Sequence, residues 1–301
     1  MMRGLARLAV VVVLLSLVWM LADGPAAITR LRAADWRWLL AAWLVVNLQT
    51  VLSAWRWCVT ARALGQTIGL GEATGEYYLA QLVNQTVPGG VVGDAARAVR
   101  ARHSADLKRS AQAVVIERLA GQIAMAAVFV PALVLTGNGL WALALTVAGA
   151  VIWRALRGIS KLHSIRAPLA RALFAPSVRL PQISLGLAIV LCNIAAFVFC
   201  ARAISAALSL DAALTVVPLV LTAMLIPFTI AGWGWREGAA AALFPLAGLA
   251  PEAGVAASAA FGAVLFACSL PGLAWLGTKR GLRFASPENS HISDTNSGEM
   301  K

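Results

Sequence analysis

The sequence has few charged residues and no long polar stretch before its last twenty residues, which argues against a soluble globular protein. Only 13% of its 301 residues are charged, whereas 60% are hydrophobic. Several apolar runs come close to the roughly 20 residues that cross a bilayer core of about 30 Å. We therefore expect an all-α polytopic membrane protein.

Acidic residues are scarce: 13 Asp and Glu stand against 25 Lys and Arg, a formal net charge of +12. A soluble protein with this charge would suggest nucleic acid as a partner, but no basic module interleaved with aromatic residues is present. In inner-membrane proteins, Lys and Arg accumulate in cytoplasmic loops. The basic residues therefore favour an inner-membrane protein with both termini in the cytoplasm.

Cysteine and histidine are also rare, with four and three copies. The cysteines are Cys58, Cys192, Cys200 and Cys268, all in or beside apolar runs and without C-x-x-C spacing. They read as small buried hydrophobic residues. We expect no disulfide framework, no metal site and no cofactor.

Six apolar runs are long enough, or nearly so, for full spans. They are residues 5–22, 38–57, 111–136, 138–153, 182–202 and 254–277. Two further apolar regions, 73–93 and 214–250, are interrupted by Pro88 and Pro227 and by glycines, and we interpret them as re-entrant hairpins. Residues 1–280 would form one transmembrane domain, and 281–301 would form a disordered cytoplasmic tail.

The two broken regions share a spacing. Gly93 and Arg97 follow Pro88 by five and nine positions, and Gly232 and Arg236 follow Pro227 in the same way. The shared offset relates repeat one, about 5–136, to repeat two, about 138–277. Because each repeat holds three crossings and one hairpin, the second would be inverted. Secondary transporters use this plan and bind substrate at their broken helices.

These residues suit an anion site within the membrane. A proline ends a helix, and the glycines that follow let the backbone turn. Irregular backbone at membrane depth needs a protein-lined or wet cavity, so we predict a cavity between the hairpins. A new helix would begin near Asp94 as N-cap, and its free N–H groups and Arg97 would favour phosphate. The hairpin residues in question are Pro88, Gly89, Gly90, Gly93, Pro227, Gly232 and Gly234.

Charged residues inside apolar segments are rare, usually paired and usually functional. Two such pairs occur, Glu117-Arg118 and Arg236-Glu237. The predicted substrate-binding set is Asp94, Arg97, Glu117, Arg118, Arg236 and Glu237. The structural alternatives are a helix cap with an i, i+3 ion pair for Asp94 and Arg97, and pairing with Arg97 or Arg236 for Glu117. Glu117 could instead carry a proton that drives transport.

The stretches Asn84–Arg97, Glu117–Gly121 and Ile226–Gly238 resemble the flippase-like family named after the membrane region of lysylphosphatidylglycerol synthases. The resemblance covers about residues 5 to 280. It implies movement of a lipid between leaflets, with the six charged residues above at the polar motif positions. No soluble aminoacyl-transferase domain is expected after Gly281, so lysine transfer is unsupported. The middle motif usually carries an Asp-Arg-type pair, and here it is Glu117-Arg118.

Two other functions compete with a lipid flippase. Gly93–Arg97 shares G-x-x-A-R with phosphatidyltransferases that use CDP-activated alcohols, but the metal-binding aspartates of those enzymes are missing, so we do not expect an enzyme. The chain could alternatively be a subunit that positions a lipid-modifying enzyme. The expected partners are membrane lipids that are anionic or bear phosphate; a lipid-modifying enzyme and further copies of the chain are other candidates.

Overall fold

The computed structural model describes residues 12–13, 16–87, 90–101, 106–157, 163–224 and 231–277. Over these ranges the chain is helical and contains no β-strand. The helices, numbered from the first with complete bounds, are α1 Gly24–Arg32, α2 Trp36–Ala63, α3 Leu70–Thr86, α4 Val92–Arg100, α5 Leu107–Leu135, α6 Gly139–Arg157, α7 His163–Phe174, α8 Pro176–Ala203, α9 Leu210–Ala223, α10 Trp235–Leu243, α11 Pro251–Ser269 and α12 Pro271–Leu276, with a 3-10 turn at Phe244–Ala247.

Four helical segments are long and apolar enough to cross a membrane: α2, α5, α8 and the continuous pair α11–α12. They contain most of four of the six predicted spans, which confirms a multi-pass helical architecture. The predicted span 138–153 lies in α6, whose apolar part Gly139–Ala155 is shorter than the other four. Most of the predicted span 5–22, and the whole tail 281–301, lie outside the described residues. The total of six spans stays a prediction.

Local hydrogen bonds explain where several helices begin. Asp35 accepts from Arg37 N at 2.9 Å before α2, and Asp106 accepts from Arg109 N at 2.7 Å before α5. Ser209 caps α9 in the same way. The first N–H groups of a helix have no partner within the helix, so these side chains fix its start.

The first broken region is a helical hairpin of α3 and α4. The Asn84 side chain accepts from Gly93 N at 2.8 Å and donates to Asp94 at 3.2 Å. Toward the other end of the hairpin, the Arg100 guanidinium donates to the Glu76 carboxylate at 2.9 Å. These contacts run in opposite directions along the two helices, so α4 returns antiparallel to α3. Pro88 and Gly89 lie outside the described residues.

In the second broken region, α9 and α10 likewise contact each other. After α9 the described chain resumes at Ala231, so Pro227 lies outside it. Helix α10 then packs on α11, where Arg236 contacts Ser258 and Gly254 lies against the Ala240 carbonyl. The two helices are therefore antiparallel, and the Phe244–Ala247 turn joins them.

A local feature supports a repeated chain. Helices α2 and α8 both contain 28 residues. Both end in Ala-Arg-Ala, at residues 61–63 and 201–203, followed by a residue with positive φ, Gly65 at 79° and Ser205 at 61°. In both places the N–H of the following residue, Gln66 or Ala206, donates to the carbonyl of the first alanine, Ala61 or Ala201, at 2.9 Å. The inverted arrangement of the two halves stays a prediction.

The largest apolar core lies around α8, α9 and α11, against which α2 packs. At its centre, the Phe197 ring contacts the rings of Phe244 and Phe261 at centroid distances of 6.4 and 5.4 Å. A smaller core surrounds Trp57 between α2, α3, α4 and α5. The space between these two cores holds the candidate site.

Candidate functional site

Four of the six predicted site residues form one ion-pair network on α4 and α5. Arg97 Nη2 lies 3.1 Å from Asp94 Oδ1 and 3.2 Å from Glu117 Oε2. Arg118 donates to the other oxygen of Asp94. The antiparallel packing of α4 on α5 places the two motifs, about twenty positions apart, side by side. The i, i+3 pair of Asp94 and Arg97 is therefore present, as part of a larger network.

Sequence reasoning missed a fifth member of this network, Arg56 on α2. Its Nη2 lies 2.6 Å from Glu117 Oε1, and the residue is only 4% exposed. We expected the second span to end at residue 57 and placed Arg56 at the cytoplasmic boundary. Helix α2 instead continues to Ala63, so Arg56 lies about two turns inside it. An arginine within a helix this apolar is the signal that could have identified it.

Arg97 is held on two sides by aromatic rings. Its guanidinium carbon lies 4.6 Å from the Trp57 ring centroid and 4.1 Å from that of Tyr77. Such stacking is more favourable when the cation is shielded from water, and Arg97 is only 1% exposed. The rings and the two carboxylates fix Arg97 in place and keep it away from solvent.

Among the described residues, the three arginines Arg56, Arg97 and Arg118 pair with two carboxylates, Asp94 and Glu117, so the network carries an excess of one positive charge. Within the described residues, the buried Nε and Nη1 atoms of Arg56 and Arg97 have no hydrogen-bond partner. Arg118 is the accessible member, with 47% of its side chain exposed. The network can therefore still accept an anion.

This network forms part of the wall of a cavity of about 320 Å³. Arg56, Asp94, Glu117 and Arg118 line the cavity, whereas Arg97 lies behind them. The lining also includes residues from both broken regions: Asn84 and Gly90 from the first, and Met224 and Ala231 from the second. The cavity thus lies between the two broken regions, in agreement with the prediction.

The two halves of the chain give this cavity two different walls. The first half contributes the charged network and uncharged polar side chains, among them Gln49, Ser53, Gln81 and Asn84. The second half contributes mainly apolar side chains: Ile189, Val190, Leu221, Met224, Phe261 and Leu265. Asn193 is the exception. The cavity is amphipathic, and its polarity follows the division between the two halves of the chain.

Arg236 and Glu237 form a second, separate cluster. Arg236 Nη2 lies 2.7 Å from Glu237 Oε1, and Ser258 Oγ bridges the pair by accepting from Arg236 Nε at 2.8 Å and donating to Glu237 Oε1 at 2.9 Å. The other oxygen of Glu237 accepts from Gly234 N at 2.7 Å at the start of α10. Positive and negative charge balance here, and both side chains are buried.

This second cluster does not line the cavity. Met224 and Phe261 line it instead, with the Met224 sulfur 3.9 Å from Arg236 Nη1 and the Phe261 ring centroid 5.7 Å from the Arg236 guanidinium carbon. The structure therefore does not bring Arg236 and Glu237 together with the other four predicted site residues. A substrate-binding role for them stays a prediction. Glu117 pairs with Arg97 and Arg56, and its predicted alternative partner Arg236 belongs to the other cluster.

The helix start at Asp94 differs from the prediction. Val91 occupies the N-cap position of α4, and Asp94 lies in the first turn. The Asp94 carboxylate is occupied by Arg97, Arg118 and Asn84, so it cannot fold back to cap the helix. The Gly93 N–H is likewise occupied by Asn84. Side chains therefore contribute more to the anion site than the helix N-terminus does.

The hairpin glycines have distinct roles. A Cβ on Gly93 would lie 2.1 Å from the Ala80 carbonyl oxygen, so only glycine allows α4 to approach α3 this closely. Gly90, Gly232 and Gly234 adopt positive φ angles of 62°, 78° and 89°. L-residues with side chains rarely adopt such angles. These glycines set the backbone path on both sides of the cavity.

Within the ranges that the structure describes, no group of three or more His, Cys, Asp or Glu side chains is arranged to hold a metal ion. The four cysteines are all free thiols, and three of them are buried. The chemistry that this site offers is therefore charge and hydrogen bonding from arginine, carboxylate and carboxamide groups.

Comparison with known proteins identifies the family. Neither the search of curated proteins nor the search of solved structures gave a match. The family model for the lysylphosphatidylglycerol synthase TM region matches residues 4–272, which include both broken regions and the whole charged network. The chain therefore belongs to the family of the lysylphosphatidylglycerol synthase transmembrane region, as a membrane protein of a family tied to lipid handling.

Proposed function

We propose that this protein binds the phosphate of a membrane lipid in the cavity and moves that lipid between the two leaflets. The observation that carries the proposal is the amphipathic cavity with one uncompensated positive charge on its polar wall. Charges at membrane depth are costly unless they pair or serve a ligand. A phosphodiester, with a single negative charge, would balance this wall.

The donors suit phosphate in kind as well as in charge. Arginine offers a planar fork of N–H groups that can bind two phosphate oxygens at once. Arg118 exposes about half of its side chain, and Arg56 also lines the cavity. We assign Arg118 as the first contact and Arg56 as the deeper one. Asp94 and Glu117 hold the two arginines in place.

The apolar wall completes the argument for a lipid. A soluble anion would gain nothing from Ile189, Val190, Leu221 and Leu265, whereas the apolar part of a lipid next to its head group can pack there. The acyl chains would remain in the bilayer while the head group crosses. Two halves that rock about a central site are the usual means of alternating access in transporters built from inverted repeats.

The proposal includes the inverted repeat, both termini in the cytoplasm and a location in the bacterial inner membrane. These parts rest on the excess of basic residues in the expected cytoplasmic segments and on the matching ends of α2 and α8. No covalent chemistry is included. The protein moves a lipid and leaves its bonds unchanged.

Leaflet translocation in liposomes tests the proposal. Purified protein would be reconstituted with a fluorescent phosphodiester lipid, and the inward movement of the label would be followed with a membrane-impermeant quencher. We expect translocation by the wild type, and loss of at least about tenfold in rate in Arg118→Gln, because an ion-paired phosphate contact contributes about 1.5–3 kcal/mol.

The matched control is Arg109→Gln, on the same helix. Arg109 has 56% of its side chain exposed, pairs with Asp106 at the start of α5, and is not among the residues that line the cavity. It should behave as wild type. Translocation that is absent from the wild type, or equal in Arg118→Gln and Arg109→Gln, would contradict the proposal.

A further inference from the structure

We infer that the lipid head group carries several hydroxyl groups next to its phosphate, as a sugar or polyol does. The inference rests on the proposed function and specifies its substrate. It comes from the carboxamide side chains of the cavity. Six of them line this one space: Gln49, Gln81, Asn84, Gln85, Gln122 and Asn193.

Three of these carboxamides are already occupied by the protein. Gln49 donates to Ser53 at 2.9 Å, and Gln81 donates to Thr50 at 3.0 Å. Asn84 joins the two helices of the first hairpin. These three already contribute hydrogen bonds that hold the polar wall together.

The other three are unoccupied. Among the described residues, the amides of Gln85, Gln122 and Asn193 have no hydrogen-bond partner. They come from three different helices, α3, α5 and α8, and converge on one cavity. Gln122 lies one helical turn beyond Arg118, so the two side chains share a face of α5. Hydrogen-bonding groups therefore surround the position assigned to the phosphate.

The chemistry of the carboxamide selects the ligand class. Each amide supplies two N–H donors and an oxygen acceptor, and a hydroxyl group both donates and accepts. A head group with several hydroxyls can therefore satisfy all three amides in both directions. An ammonium head group only donates, and it would also meet a wall with a net positive charge. A trimethylammonium group could make no N–H hydrogen bond at all.

The position of Asn193 gives the orientation. It is the polar exception on the apolar wall of the second half, opposite the charged network of the first half. A head group whose phosphate contacts Arg118 and Arg56 could extend its hydroxyls toward Gln122, Gln85 and Asn193. The three amides would then act as specificity-determining residues, separate from the arginines that bind the phosphate.

A pair of matched lipids tests this inference. Phosphatidylinositol and phosphatidylmethanol are both phosphodiesters with one negative charge, but only the first carries a ring of hydroxyls. Binding of each to the purified full-length protein would be titrated in detergent micelles by native mass spectrometry. We expect phosphatidylinositol to bind about tenfold more tightly, as two or three additional hydrogen bonds would provide.

Variants separate this inference from the proposed function. Asn193→Leu and Gln85→Leu should reduce the preference for phosphatidylinositol to about twofold or less without weakening phosphatidylmethanol, since only the hydroxyl contacts are lost. Arg118→Gln should weaken both lipids to the same extent. The control Asn138→Leu removes a carboxamide outside the cavity, at the start of α6, and should leave both affinities unchanged.

Each outcome has a clear meaning. Equal affinity for the two lipids in the wild type, with both weakened by Arg118→Gln, would overturn the hydroxyl inference and leave the phosphate site standing. Affinities that do not respond to Arg118→Gln would overturn the phosphate site itself. Equally tight binding of glycerophosphoinositol, the same head group without acyl chains, would show that the ligand is a soluble phosphate and would overturn the lipid assignment.

Discussion

Replacing Glu117 with glutamine should destabilise this protein more than any other charge-removing change in the network. Glu117 is the carboxylate shared by Arg56 and Arg97, at 2.6 and 3.2 Å, and it is 3% exposed. Glutamine keeps the shape of the side chain and removes its charge. Buried Arg56 would then lose the carboxylate it pairs with, and buried Arg97 would be left with Asp94, which already contacts Arg118.

The size of the effect follows from burial. Removing one partner of a buried ion pair costs about 3–5 kcal/mol, because the remaining charge is left uncompensated in a medium that solvates it poorly. Arg118 is the opposite case: half of its side chain is exposed, and exposed pairs contribute about 0–1 kcal/mol. We therefore expect a loss of about 3–5 kcal/mol for Glu117→Gln and at most about 1 kcal/mol for Arg118→Gln.

Equilibrium unfolding in mixed detergent micelles would measure both free energies. A double variant, Glu117→Gln with Arg56→Met, removes a charge of each sign and should recover part of the loss. A destabilisation by Glu117→Gln no larger than that by Arg118→Gln would refute the reasoning. It would mean that water reaches Arg56 and Arg97 freely.

Two further predictions concern packing. Gly93→Ala should unfold or loosen the first hairpin, because the new Cβ would lie 2.1 Å from the Ala80 carbonyl oxygen. The control Gly71→Ala, with no atom within 4 Å of its Cβ, should be as stable as wild type in thermal unfolding. Ser258→Ala should lower the unfolding free energy by about 1–3 kcal/mol, because it removes the acceptor of buried Arg236 Nε at 2.8 Å and a donor to Glu237 Oε1 at 2.9 Å, and leaves Nε with only the 3.1 Å bond to Glu237. A neutral Gly93→Ala or Ser258→Ala would contradict the packing described for that helix pair.

Much of the fold could be predicted from the sequence because membrane spans follow from length and apolarity. The helices Trp36–Ala63, Leu107–Leu135 and Pro176–Ala203 each contain most of one expected span. Their ends were less predictable. Helix α2 continues beyond its apolar run, and this extension buries Arg56, which the sequence alone had placed at the membrane boundary.

The candidate site could be predicted only in part. The repeated spacing identified Arg97, the expected helix start identified Asp94, and charge inside an apolar run identified Glu117 and Arg118; the structure brings these four together. The sequence could not show that Met224 and Phe261 enclose Arg236, because this contact depends on how α9, α10 and α11 pack. The division into a polar and an apolar wall likewise appears only when the two halves face each other.

The central claim is that a lipid phosphate occupies this cavity, and an experimental structure in a lipid nanodisc would test it most directly. Cryo-electron microscopy of the protein in a bilayer containing phosphatidylinositol should show phosphate density in the cavity, within hydrogen-bond distance of Arg118 and Arg56. That density should disappear in Arg118→Gln and remain in Arg109→Gln. A well-resolved cavity without lipid density, in a preparation that translocates lipid, would contradict the account.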